Sequence, residues 1–219
     1  MSLASFVRNY ALNCYTFEGD KEDYLVARLI YKYMRGHRVL DLGCGPVATV
    51  LSVFYPEAKK VVAVDRLQEN LNFIKKHSAE LAPLIARAKN YKQRYLGKKG
   101  NVPTMRLVKG DVTKRLPLGT FDSVMQIGAF GALDSAEQFQ TAVNHAYRYL
   151  KPGGTLLMVN WVGNVKRPHH FNGKVDELTI FKPSLQQAGF RIIELHTTSS
   201  LGASKKNGYK KIIWAVAEK

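Results

Sequence analysis

The sequence predicts an α/β fold: a mostly parallel sheet of about seven strands, helices on both faces, and one antiparallel strand at the C-terminal end. Two observations predict it. Apolar runs at Val39–Leu42, 60–64, Met105–Val108, Phe121–Ile127 and Thr155–Val159 alternate with segments of helical spacing, the order that builds a parallel sheet. The last two runs, 190–198 and 209–217, are joined through Leu201–Gly208, too short for a crossover helix, so they pair antiparallel.

The elements follow in order. Residues 3–17 hold Phe6, Tyr10, Tyr15 and Phe17, too aromatic for a floppy tail. Residues 20–34 space their apolar side chains as a helix, with Asp20 as N-cap and Gly36 beyond its end. Pro46 opens a helix that runs to about Tyr55, where Pro56 stops it. An amphipathic helix carrying Leu67, Leu71 and Ile74 follows the second strand, and a further helix over 78–96 begins at Ser78 with Pro83 near its N-terminus. Residues 135–150 form a helix with Phe139, Ala142, Val143 and Ala146 on one face, broken by Lys151-Pro152-Gly153-Gly154. Residues 161–176 read as irregular and polar, and a short helix over 182–188 ends at Gly189. There is no internal repeat, low-complexity segment or convincing linker, so residues 1–219 are expected to form one domain.

Composition narrows the class. The two cysteines, Cys14 and Cys44, make no CxxC and no paired metal spacing, which points to a reducing, cytoplasmic compartment without structural zinc or any other metal. No apolar run approaches a membrane span. Lys and Arg number 33 against 17 Asp and Glu, a net charge of +16, which attracts RNA or an anionic ligand. A solvated basic surface is the plainer alternative. Much of the excess lies between Glu80 and Asp111, where no acid occurs; Tyr91 and Tyr95 are interleaved there, as in a single-strand-binding surface or as a packing pair on one helix face.

The chemistry is concentrated at Val39-Leu40-Asp41-Leu42-Gly43-Cys44-Gly45-Pro46. The glycines let the chain turn tightly and leave no Cβ in the way of a ligand. Asp65 stands twenty residues beyond Gly45, after the second apolar run, where an acid accepts from the hydroxyls of an adenosine ribose. Gly43, Gly45 and Ala48 also satisfy the looser dinucleotide pattern of a nicotinamide-dependent oxidoreductase. Against that, Pro46 removes one N–H donor from a phosphate site, and Asp41 is awkward beside a pyrophosphate. Asp41 suits a cofactor with a cationic amino group and a sulfonium, which favours S-adenosylmethionine.

Taken together with Gly110-Asp111-Val112, the strand at Phe121-Asp122 and Leu150-Lys151-Pro152-Gly153-Gly154, these residues resemble a class I S-adenosylmethionine-dependent methyltransferase of Rossmann-like fold over nearly the whole chain. Within that superfamily the chain is similar to the group of nicotinamide, phenylethanolamine and thioether N-methyltransferases, through Tyr10-x4-Tyr15-x-Phe17, Gly43-x-Gly45-Pro46, Asp65-x4-Asn70-Leu71 and Asp111-Val112-Thr113. The resemblance implies that residues 1–36 form a helical cap over the cofactor site of a 37–219 core, with Tyr10 and Tyr15 at the methionine end. It implies Asp41 and Thr49 by the cofactor's amino-acid end, Gly43 and Gly45 under it, Asp65 and Asn70 at the ribose, Asp111 and Val112 at the adenine, and Gln126 and Ile127 lining the cofactor next to the substrate.

The resemblance has departures. The amine methyltransferases carry an acid just after the fifth strand, and Asn160 stands there; the following loop holds Lys166, Arg167, His169 and His170, which suit an anionic group. Gln126-Ile127-Gly128-Ala129 replaces the Asn/Asp-Pro-Pro-aromatic signature of nucleic-acid amino-methyltransferases, which weighs against base methylation. The expected reaction is methyl transfer to a small-molecule acceptor on nitrogen, with no dedicated acid–base residue; Tyr10, Asn160, His169 and His170 are the candidates for orienting that acceptor. An RNA-directed methyltransferase using residues 87–109 is the competing expectation.

Overall fold

The computed structural model describes residues 2–13, 15–18, 20–163, 177–200, 205 and 208–219. After helices α1 (Leu3–Asn13) and α2 (Lys21–Tyr33) come β1 (Arg38–Leu42), α3 (Ala48–Ser52), β2 (Lys60–Asp65), α4 (Gln68–Lys76), α5 (Ser78–Leu96), β3 (Thr104–Lys109) and β4 (Phe121–Ile127). Helix α6 (Ala136–Tyr149), β5 (Leu150–Gly163), α7 (Lys182–Gln187), β6 (Arg191–Ser199) and β7 (Tyr209–Glu218) complete the order. Seven strands form one sheet in the order β3-β2-β1-β4-β5-β7-β6, and only β7 runs against the rest. The expected fold class is the observed one.

Local chemistry accounts for several boundaries. Asp20 caps α2 by accepting from the Glu22 N–H at 2.8 Å, and Ser135 caps α6 by accepting from the Gln138 N–H. Gly97, in the left-handed region at φ 64°, ends α5. The winding expected from Pro46 to Tyr55 is present but only partly α-helical: Gly45–Val47 is a 3₁₀ turn, α3 covers five residues, and the N–H groups of Val53, Phe54 and Tyr55 then donate three residues back, which tightens the last turn. Lys92 closes that end. Its buried ammonium donates to the carbonyls of Val53 at 2.7 Å and Tyr55 at 3.2 Å.

Strand β5 is longer than expected at both ends. The Lys151–Gly154 segment breaks α6 as expected and keeps a turn residue in Gly153 at φ 73°, but it is held at the sheet because the Gly153 N–H donates to the Lys219 carbonyl and the Lys219 N–H to the Gly154 carbonyl. Beyond Val159, the expected irregular stretch begins instead with three strand residues, Trp161 to Gly163, held by pairing with β7. Residues 164–176 lie outside the described residues. No helix among the described residues is long and apolar enough to cross a membrane.

Strand residues alternate between two cores. Val39, Val61, Ala63, Met125, Leu157 and Val159 pack on one face with α1 to α5; Leu40, Leu42, Val64, Val124, Leu156 and Met158 pack on the other with α6 and α7. The crossover from β3 to β4 carries no helix, and Val112, Leu116 and Leu118 of the 110–120 segment join the second core with Val62, Val64 and Val108. Helix α1 rests on the Gly45–Val47 turn and on α4 and α5.

Candidate functional site

The sheet order brings four strand ends together. Asp41, Asp65 and Ile127 lie at or near the carboxyl ends of β1, β2 and β4, and Asp111 lies two residues beyond β3. Strand order reverses between β1 and β4, and open parallel sheets hold ligands at such a point.

The glycine turn is built from β1 outward. The N–H groups of Gly43 and Cys44 both donate to the Val64 carbonyl, at 2.8 and 2.9 Å, bending the chain over β2. Gly43 is left-handed at φ 72°, and a Cβ on it would collide with that of Ala129. Gly45 is left-handed too, at φ 59°, but nothing lies within 4 Å of where its Cβ would stand. Gly43 therefore serves packing, and Gly45 keeps space open.

Asp65 is buried and fixed: its Oδ2 accepts from the Gly45 N–H and its Oδ1 from the Leu67 N–H, both at 2.8 Å, which leaves each oxygen a further lone pair. The Asp65 carbonyl accepts from the Gly110 N–H at 3.0 Å and so ties the β2 end to the segment carrying Asp111. Asp111 Oδ1 accepts from the Thr113 N–H and hydroxyl at 2.9 and 2.7 Å. Partial burial pushes the Asp111 carboxyl up, but Thr113, Lys114 and Arg66 together hold it below the usual range. The Val112 carbonyl accepts from His145 Nδ1 at 3.0 Å. Asn70 is a buried residue of α4.

Asp41 is the anomaly. Its Oδ2 is buried with no hydrogen-bond partner among the described residues, and the same holds for Thr49 Oγ1 on α3. Burial first and the Asp65 charge second push the Asp41 carboxyl up to about 8. The Cys44 thiol and Tyr55 phenol are raised as well, chiefly by burial and then by Asp41.

At the β4 end, Gln126 is wholly buried and its amide is engaged internally. It donates to the Val159 carbonyl and Asn160 Oδ1, both at 3.3 Å, and accepts from the Phe130 N–H at 3.0 Å. Asn160, also wholly buried, has no partner for Nδ2 among the described residues. Ile127 is half-buried beside them. Sequence reasoning did not foresee this amide pair, because Gln126 and Asn160 meet only through the pairing of β4 with β5.

In the N-terminal segment, Tyr10 is half-exposed on α1, whereas Tyr15 is buried and left-handed at φ 55°. Phe17 shares that φ, and its N–H donates to Asp23 Oδ2 at 3.0 Å. Tyr91 is buried, stacked on Tyr24 at 4.6 Å and packed against Phe17 and Phe54. The packing reading of Tyr91 is therefore the one observed, and only Tyr95 of that pair is exposed. His169 and His170, with Lys166 and Arg167, lie outside the described residues.

Comparison with known proteins agrees with this geometry. A family model described as a methyltransferase domain matches residues 40–158. The tRNA N(3)-methylcytidine methyltransferase trm140 of Schizosaccharomyces pombe is 27% identical over 122 residues, covering 54% of this chain and 34% of that protein. The match thus takes in about a third of the curated relative's length. Among solved structures, the N-methyltransferase NodS of Bradyrhizobium japonicum WM9, in complex with S-adenosyl-L-homocysteine, superimposes with a TM-score of 0.65 at 14% identity, over 100% of this chain and 99% of that one. A SAM-dependent methyltransferase from Aquifex aeolicus gives 0.63 at 18% identity, over 99% of each chain. At such identities the structural likeness is one of fold. The family model covers more than half of the chain, and with it the chain belongs to the methyltransferase domain family of class I enzymes, with S-adenosylmethionine as its cofactor.

Proposed function

We propose that the protein transfers a methyl group from S-adenosylmethionine to nitrogen on a small-molecule acceptor, in the cytoplasm. One observation carries the reading of the site: Asp41 Oδ2 and Thr49 Oγ1 are buried by the glycine turn without partners among the described residues. Such groups are costly to leave unpaired. An amino-acid zwitterion satisfies both, its ammonium on Asp41 and its carboxylate on Thr49, and the open space at Gly45 gives it room. The residues present therefore fit the cofactor.

In this reading Asp65 takes the ribose hydroxyls with the lone pairs left by Gly45 and Leu67, supported by Asn70. Asp111 accepts from the adenine amino group while Val112 donates its backbone N–H. Tyr10 and Tyr15 stand by the methionine end, and residues 1–36 cap the site. Ile127 lines it beside the acceptor, and Gln126 acts through its hold on Asn160, which with Tyr10, His169 and His170 orients the acceptor. When bound, the cofactor supplies an activated methyl group. The chain's own contribution is alignment and exclusion of water, since a neutral amine needs no strong base. The packing of α1 on the glycine turn favours a small acceptor over a polymer.

A second reading, an RNA acceptor, draws on the tRNA-methylating relative and the net charge of +16. Calorimetric titration with S-adenosylhomocysteine tests the cofactor site: micromolar binding is expected, weakened at least tenfold, about 1.4 kcal/mol, by Asp65→Ala. Radiolabelled methyl transfer then tests the acceptor. Label is expected in a pool of small amines; label entering RNA instead would sink the small-molecule reading, and no binding to the parent chain would sink the site.

A further inference from the structure

A further cavity lies away from the glycine turn. It is a cleft of about 440 Å³ between the 115–120 loop and the C-terminal half of α6, lined by Arg115, His145, Arg148 and Tyr149 with the loop residues Leu116–Thr120. None of Asp41, Gly45, Asp65, Asp111 and Gln126 lines it. Gly119 and Thr120 immediately precede β4 and Tyr149 precedes β5, so the cleft opens towards the amino ends of these strands, opposite the end described above. Its origin is topological: the crossover from β3 to β4 has no helix, and the space beside α6 is left unfilled.

The lining has one sign of charge. No acid lines the cleft, and among the described residues neither Arg115 nor Arg148 makes an ion pair. A third guanidinium, that of Arg38, approaches the rim at Gly119 while lying over the Phe121 ring. The nearby Asp122 carboxylate is already taken by the backbone N–H groups of His37 and Arg38 and by Lys151 Nζ. At the floor, His145 Nδ1 is committed to the Val112 carbonyl, which leaves Nε2 as its remaining polar atom. Tyr149 braces the loop: its hydroxyl accepts from the Leu116 N–H at 2.7 Å and donates to the Leu116 carbonyl at 3.3 Å. Planar guanidinium groups without carboxylate partners, on a braced loop over a concave floor, match the oxygens of a phosphate.

We infer that this cleft is a phosphate-binding site, in which Arg115 and Arg148 grip a phosphoryl group of a nucleotide above His145. The inference does not depend on the acceptor proposed above. The phosphate belongs either to a free nucleotide or to an RNA strand, and the two sources are separable. The experiment titrates the full chain at fixed salt with two probes, inorganic pyrophosphate and a short unstructured oligoribonucleotide. It compares Arg115→Gln/Arg148→Gln with the charge-matched control Lys182→Gln/Lys210→Gln, whose lysines are exposed elsewhere on the surface. All four side chains are exposed, so unchanged thermal melting is expected in both variants. At least one probe should bind the arginine variant tenfold or more weakly and the control within twofold of the parent; the probe that does so names the source. Equal losses in the two variants, or no saturable binding of either probe, overturn the site and reduce the arginines to part of a diffuse basic surface.

Discussion

The ligand-free Asp41→Asn variant will gain stability relative to the parent as pH rises from 5 to 8, and it will bind S-adenosylhomocysteine poorly. Asp41 lies in β1 with Oδ2 unpaired among the described residues, and its carboxyl is held up to about 8 by burial and then by Asp65. The sign follows from proton counts. The unfolded chain gives up this proton near the ordinary value of 3.8, whereas the folded chain keeps it up to about 8. Between those values the native state binds more protons, so this residue makes the fold less stable as pH rises, and the cost levels off above pH 8. Asparagine has no such cost, and the stability gap between variant and parent should widen by about 2–4 kcal/mol over that window. Denaturant midpoints at several pH values measure it; a gap that stays flat would show that Asp41 ionises freely.

The same residue predicts a binding signature. In the proposed site the ligand's ammonium faces Asp41 and favours its charged form. At pH 7 the ligand-free carboxyl is mostly protonated, so binding should release about one proton per S-adenosylhomocysteine. Calorimetry in buffers of different ionisation enthalpy reads that proton directly. The asparagine variant should release none and bind at least tenfold more weakly, since an amide cannot supply the charge.

The fold and the place of the candidate site in it were largely legible in the sequence, because local rules decide them. The glycine spacing, the acid beyond the second strand and the Asp20 cap each act within a few residues or one β-α-β unit. The features that were not legible come from distant partners. Lys92 reads as one more basic residue of a charged helix, yet its ammonium closes the end of α3, 37 residues upstream at the nearer carbonyl. Tyr91 finds its stacking partners on α2 and in the segments around Phe17 and Phe54. The Lys151–Gly154 segment ends α6 as expected, but its attachment to the C-terminal strand through Lys219 comes from a partner about 65 residues away in the chain. Arg115 and Arg148 line one cleft beside a β3–β4 crossover that carries no helix, a neighbourhood set by the fold and not by their spacing in the chain.

The two glycines of the turn separate folding from binding, and their alanine variants should fail in different ways. Gly43→Ala places a Cβ against that of Ala129 while holding φ at 72°, so steric overlap adds to left-handed strain. A loss of about 3 kcal/mol of stability is expected. Because part of that loss is a clash with one methyl group, adding Ala129→Gly should recover about half of it, and a double variant no better than the single one would mean that backbone strain alone is responsible. Gly45→Ala carries only the strain of φ 59°, since nothing stands within 4 Å of its Cβ, and should cost about 1 kcal/mol. Its effect should appear in the ligand instead: the new methyl group enters the space left for the cofactor, and affinity for S-adenosylhomocysteine should fall at least tenfold in a chain that still folds. If Gly45→Ala bound as the parent does, the ligand would not lie across the turn, and the space there would have to be explained by packing alone.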